Sequence, residues 1–394
     1  MTISSLIPAF VDQSQSRVPD PDPVLTDLLA VLAQVVDPRA RRGVRHRCAA
    51  VLGIAVCAVL AGAKSYRAIA EWAQDLTPAV WERLGLGRRA PCEATIRRLL
   101  QSIDAAHLDQ LVSAWLSPPA GPSPVPESTG PVARTARRVI ALDGKTARGA
   151  RCGQDRAVHL LSALDTAAGV ILGQAVVDGK TNEITAFTPL LDHIDIRGAI
   201  ITADALHTQR GHAEYLHSRG AHYLLTVKAN QPRLLAQLRA LPWTEVPVTD
   251  VTDVTGHGRR GQRTLRLTEI TAGIGFPGAA LALQLTRRRW PLASRKWSTE
   301  TVHCMTDLTQ EQTSPAELAD APRAHWGIEN RVHWVRDVTY AEDLSQIRTG
   351  HGPAVMATLR NLAISIHRKA GATNIAAATR HLSRHPNRIL PLLT

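Results

Sequence analysis

Two short apolar runs that each end on an aspartate constrain the fold of this chain most. Val139-Ile140-Ala141-Leu142 runs into Asp143, followed by Gly144-Lys145-Thr146, and Ala199-Ile200-Ile201-Thr202-Ala203 runs into Asp204. Runs of this length, rich in β-branched residues and followed by a polar residue, read as buried strands. The strand candidates, these two included, are 137–143, 158–164, 170–177, 199–204 and 222–228, with helices over 183–193, 208–219 and after Pro232. Three hairpin-like strands followed by helix–strand–helix–strand define an α/β core.

The rest of the chain is organised around that core. Ser117 to Pro131 is rich in Pro, Gly and Ser and reads as a linker. Before it lie a loose tail over 1–23 and an all-helical N-terminal domain over 24–116. After it come the first part of the core (132–242), a β-rich insertion (243–313, with strands near 263–271, 280–288 and 300–306) and a helical C-terminal part (314–394) that completes the core. With 44% hydrophobic residues in 394, the chain can bury two or three cores. The apolar stretch Cys48 to Ala63 is shorter than the ~20 residues that span a bilayer and reads as a buried helix, with Ser65 capping the next one. Five cysteines without CxxC spacing, and an N-terminus without a basic segment before its apolar residues, predict a reduced cytoplasmic protein.

A net charge of +12 favours a polyanionic partner and excludes little else. The chemistry comes from Asp143, Asp204 and Glu329, the last in the helical segment Arg323 to Asn330. Singly, each has a plain reading: a turn or cap residue for the aspartates, a solvated side chain for the glutamate. Together they have the layout of a two-metal phosphoryl-transfer site on an RNase H-like sheet, in which hard carboxylate ligands hold two Mg²⁺ or Mn²⁺ ions. A zinc site from His325, Glu329 and His333, on one helix face, is a rival that spans two turns and converges poorly. The two histidines read better as phosphate contacts or partners of the glutamate. Lys145, Lys228, His325 and Arg336 are candidate phosphate contacts near the metals, and Trp326, Ile328, Val332, Trp334 and Val335 candidate core residues, Trp334 alternatively a base-stacking one. The helix after Pro91, with Arg97 and Arg98, reads either as the second helix of a helix-turn-helix or as a basic surface helix, and Arg41 and Arg42 suit DNA phosphates in both cases.

Several segments resemble the DDE transposases of bacterial insertion sequences, in the branch that includes the H-repeat-associated proteins. They are Ala141 to Thr146, Lys180 to Ile184, Thr202 to Gln209, Leu225 to Pro232, His325 to Asn330, His333 to Val338 with Glu342-Asp343, and Leu359 to Ala363. The resemblance spans about 25–390 and implies a catalytic triad of Asp143, Asp204 and Glu329. It also implies cleavage of the element's terminal inverted repeats, joining of the freed 3′-hydroxyls to target DNA, and a homodimer or larger assembly on DNA, in the cytoplasm at the nucleoid. Where related transposases place Tyr, Arg and Lys around the glutamate, this chain has Pro322, His325 and Arg336. The alternatives are a DNA-binding relative that no longer cleaves and an RNase H-like nuclease without strand transfer.

Overall fold

A computed structural model describes residues 28–42, 44–87, 89–116, 137–151, 157–177, 183–256, 259–271, 273–291 and 297–393. The expected tail, the linker, Lys180 to Asn182 and Cys152 lie outside the described residues.

Six helices come first: α1 (Leu28–Leu32), α2 (Cys48–Leu60), α3 (Tyr66–Gln74), α4 (Pro78–Arg83), α5 (Glu93–Ser102) and α6 (Ala105–Leu116). Nearly every residue of α2 is buried, as expected for a helix apolar on all sides. No helix among the described residues is long and apolar enough to cross a membrane. Ser65 caps α3, its hydroxyl accepting the Ala68 N–H at 3.2 Å. Residues 84–92 separate α4 from α5, a longer connection than the three- to four-residue turn of a helix-turn-helix.

Nine strands then form one sheet in the order β3-β2-β1-β4-β5-β9-β8-β7-β6. β1 (Val139–Thr146), β2 (His159–Asp165) and β3 (Val170–Val177) are antiparallel neighbours. β4 (Ile200–Ala203) lies parallel to β1, and β5 (His222–Val227) parallel to β4. The helical connections α7 (Glu183–Asp192), α8 (Arg210–Ser218) and α9 (Pro232–Arg239) follow β3, β4 and β5. The sequence predicts the β-rich segment as an interruption of this core. Its last strand pairs antiparallel with β5, so β6 (Val248–Gly256), β7 (Arg259–Glu269), β8 (Leu281–Pro291) and β9 (Ser298–Thr306) prolong the same sheet. β6, a polar edge strand, is absent from the sequence expectation because its repeated Thr and Asp mimic a loop.

The C-terminal helices are α10 (Pro315–Ile328), α11 (Trp334–Val338), α12 (Gly352–Lys369) and α13 (Ile375–Arg384). Ser314 caps α10 by accepting the Glu317 N–H. α10 lies over β1 and β4, while α12 is buried along most of its length among α2, α5, α6 and β3. One hydrophobic core therefore runs from the N-terminal helices into the sheet. A smaller one, with Leu265, Leu283, Leu285 and Leu318, sits where α10 covers the later strands.

Candidate active site

The site forms where the parallel ladder between β1 and β4 stops. The last paired residues are Leu142 and Ala203, and the next residue of each strand is the aspartate. β1 itself continues to Thr146 against β2, so Asp143 lies inside the strand rather than at its end. Side chains alternate across a sheet. Asp143 thus shares the α10 side with Ala141 and Lys145, while Gly144 faces the opposite side. Glu329 arrives at the end of α10 and opens a π-helical turn, Glu329–His333, before α11. Asp143, Asp204 and Glu329 line one cleft of about 390 Å³, together with Thr202, Lys228, Arg287, His325 and Trp326.

The carboxylates differ in setting. Asp143 accepts the Gly144 N–H at 3.0 Å through Oδ1. Burial raises its pKa to about 6, with the Glu329 charge adding to the rise and His333 opposing it. Glu329 is more exposed, and a hydrogen bond from His333 holds it below the usual carboxylate range. His333 Nδ1 lies 3.4 Å from Asp143 Oδ2 and 3.2 Å from Glu329 Oε2. Ligand atoms of Asp143, Glu329 and His333 all fall within 4.8 Å of one another. Two carboxylates and one imidazole at this spacing suit a divalent ion. Asp204 caps the turn after β4, accepting the Ala205 N–H, and Lys228 Nζ is 3.5 Å from its Oδ1.

The candidate phosphate contacts separate into two groups. Lys228 is exposed at the cleft, and His325 lines it with Nδ1 3.2 Å from the Thr202 hydroxyl. Burial lowers the His325 pKa to about 4, so it is neutral at pH 7. Lys145 and Arg336 are instead buried in ion pairs behind the cleft. Lys145 is buried and paired with Asp337 at 2.7 Å. Arg336 is fully buried, with Nη2 2.7 Å from Glu342 Oε1. Arg41, Arg42 and Arg98 are exposed on the helical side of the molecule, outside the cleft lining, and Arg97 pairs with Glu93 at 3.0 Å. Neither tryptophan flanking Glu329 joins the core: Trp326 is 48% and Trp334 57% exposed. The π turn adds one residue and shifts the inward stripe to Val332, Val335 and Arg336.

Sequence reasoning missed what lies behind Gly144. Glu183 is buried there, bonded to His159 Nε2 at 2.8 Å and His207 Nε2 at 3.1 Å. Burial pushes its pKa up, and the two histidines overcome this and bring it to about 2. A glycine next to a candidate ligand is the only local signal of that close approach. It also reads as a turn.

Comparison with known proteins agrees over most of the chain. "Putative transposase YncI" of Escherichia coli O157:H7 is 28% identical over 363 residues, covering 87% of this chain and 88% of the relative. "H repeat-associated putative transposase YhhI" of Escherichia coli K12 is 29% identical over 361 residues, covering 87% and 90%. A chain of the piggyBac transposase synaptic complex with hairpin DNA has a TM-score of 0.43 at 10% identity, covering 93% of this chain and 79% of that one. Residues 29–116 match the family described as DDE_Tnp_1-associated. Residues 134–366 match the Transposase DDE domain, and the chain belongs to that family.

Proposed function

We propose that this chain is an insertion-sequence DDE transposase that cuts the ends of its element and joins the 3′-hydroxyls to target DNA. The observation that carries the reading is the convergence of Asp143, Asp204 and Glu329, from three separate elements, on one cleft. The order and directions of β1 to β5 support an RNase H-like core for that cleft.

Asp143, Asp204 and Glu329 are the residues that would hold two Mg²⁺ or Mn²⁺ ions, with His333 beside two of them. When bound, such ions supply activation of the attacking oxygen and charge relief for the leaving one. Lys228 offers a cation to a phosphate at the Asp204 side. His325 offers an uncharged N–H and excludes water behind Thr202. Trp326 presents an apolar face to a base next to the scissile phosphate. Work on two ends calls for at least two copies on DNA, in the cytoplasm at the nucleoid.

The test uses the purified chain, Mg²⁺ or Mn²⁺, and DNA from both sides of its own gene. Cleaved ends and joined products are expected from the wild type. Asp143→Asn should lower both by at least ~10³-fold, the scale on which such ions act in catalysis. Equal cutting by Asp143→Asn would sink the site. Cutting without joining would identify a nuclease, and binding without cutting an idle relative.

A further inference from the structure

The outer strands carry a charge pattern that the carboxylate site does not use. Arg263 of β7 and Arg287 of β8 are directly opposite each other. Arg289 follows on the same face, two residues along. Leu265 and Leu285 on that face are buried beneath α10, which fixes these arginines on the side of the sheet where α10 lies. Arg323 of α10 joins Arg263 and Arg287 around a small concavity next to the catalytic cleft. Arg287, Leu285 and Pro322 line both, so the two are continuous.

These cations repel one another. Burial and the charges of Arg287, Arg323 and Arg289 all push the Arg263 pKa down. Arg323 pairs with Asp320 at 2.7 Å. Among the described residues, Arg263, Arg287 and Arg289 have no carboxylate within ion-pair distance. Glu300 stands directly opposite Arg287 and Asp250 lines the same concavity, neither in an ion pair with these three arginines. Clustered like charges that nearby carboxylates offset only in part cost folding energy, and a bound polyanion lowers that cost.

We propose that Arg263, Arg287, Arg289 and Arg323 form a phosphate track on β7, β8 and α10 that holds the DNA backbone as it leaves the catalytic cleft. The track rests on the transposase reading for its ligand, since phosphates seated at Asp143 and Glu329 must continue along one wall of the cleft. Arg287 lines one wall of the cleft, and the track runs on from it. Guanidinium forks suit phosphate oxygens there, and the contact is independent of base sequence.

The experiment uses the full chain in EDTA, so that no DNA is cut, and fluorescein-labelled 30-nucleotide duplex and single-stranded probes. Anisotropy titrations over a salt series compare wild type, the triple variant Arg263→Gln/Arg287→Gln/Arg289→Gln, and an equally charged control, Arg380→Gln/Arg384→Gln/Arg388→Gln, in and after α13. The track predicts at least ~10-fold weaker binding by the first variant, and a log affinity–log salt slope shallower by about two to three, because each lost phosphate contact removes about one unit. Its unfolding midpoint should stay level or rise, since the substitutions relieve repulsion. A purely structural role would lower it. A slope equal to the control's would overturn the track and leave the function standing. Wild-type protein that binds neither probe would overturn both. Preference for one probe tells whether paired or displaced DNA follows the arginines.

Discussion

Gly144 joins the two faces of β1. On one side its neighbour Asp143 faces the cleft, and on the other a side chain at Gly144 would run into Glu183. A Cβ there would lie 2.7 Å from both Glu183 carboxylate oxygens and from His159 Nε2. The carboxylate cannot swing away, because His159 and His207 pin it in a buried pocket. Gly144→Ala must therefore shift β1 or break that network. The expected result is a loss of ~1–3 kcal/mol in urea unfolding and a cleavage rate down at least ~10-fold, since sub-ångström placement of Asp143 is lost. Wild-type stability and rate in this variant would refute the packing argument. At this scale the aspartates are legible in the sequence, because an apolar strand followed by a carboxylate is a local pattern. The cations are not. Lys145 and Arg336 have the charge of a phosphate contact, and only burial against Asp337 and Glu342 shows that their charge is already spent.

Among the elements, the segment after Glu329 is held from behind. Arg336 of α11 and Arg360 of α12 both bond Glu342, all three buried. Burial raises the Glu342 pKa, and the two arginines outweigh it and bring it to about 2. Glu342→Gln would leave two buried guanidinium groups without a counter-charge, which costs about 3–5 kcal/mol in a chemical denaturation series. A loss under ~1 kcal/mol would count against the network. The folded pKa lies below the ordinary value of 4.5. The stabilisation is therefore complete above that pH and is lost as pH falls toward 2. The wild type should thus lose stability in acid more steeply than Glu342→Gln. The helix carrying Glu329 and the strands around both aspartates are readable from periodicity. The π turn is not, because it arises where packing of His333, Val335 and Arg336 outweighs regular helix bonding.

Over the whole molecule, β9 beside β5 turns a segment that reads as an insertion into one continuous sheet. The N-terminal helices meanwhile share a core with α12 and β3. The described residues should then unfold as one cooperative unit. Tryptophan fluorescence and far-ultraviolet circular dichroism should give coincident thermal transitions, even though Trp72, Trp81 and Trp115 lie before the linker and the other tryptophans after it. Two resolved transitions would show that the helices form a separate body.

By itself the sequence determined the α/β order of β1 to β5, the helical N-terminal part and the three carboxylates. Each is written in residues a few positions apart, where periodicity, caps and turn chemistry act. Only the tertiary structure decided that His333 sits between Asp143 and Glu329. It also decided that Glu183 backs Gly144, that Lys145 and Arg336 are buried, and that Arg263, Arg287, Arg289 and Arg323 gather beside the cleft. Those outcomes depend on which side chains lose water and which charges become neighbours. Both follow from strands and helices that the fold brings together, in places across more than a hundred residues of chain, as for Asp143 and His333.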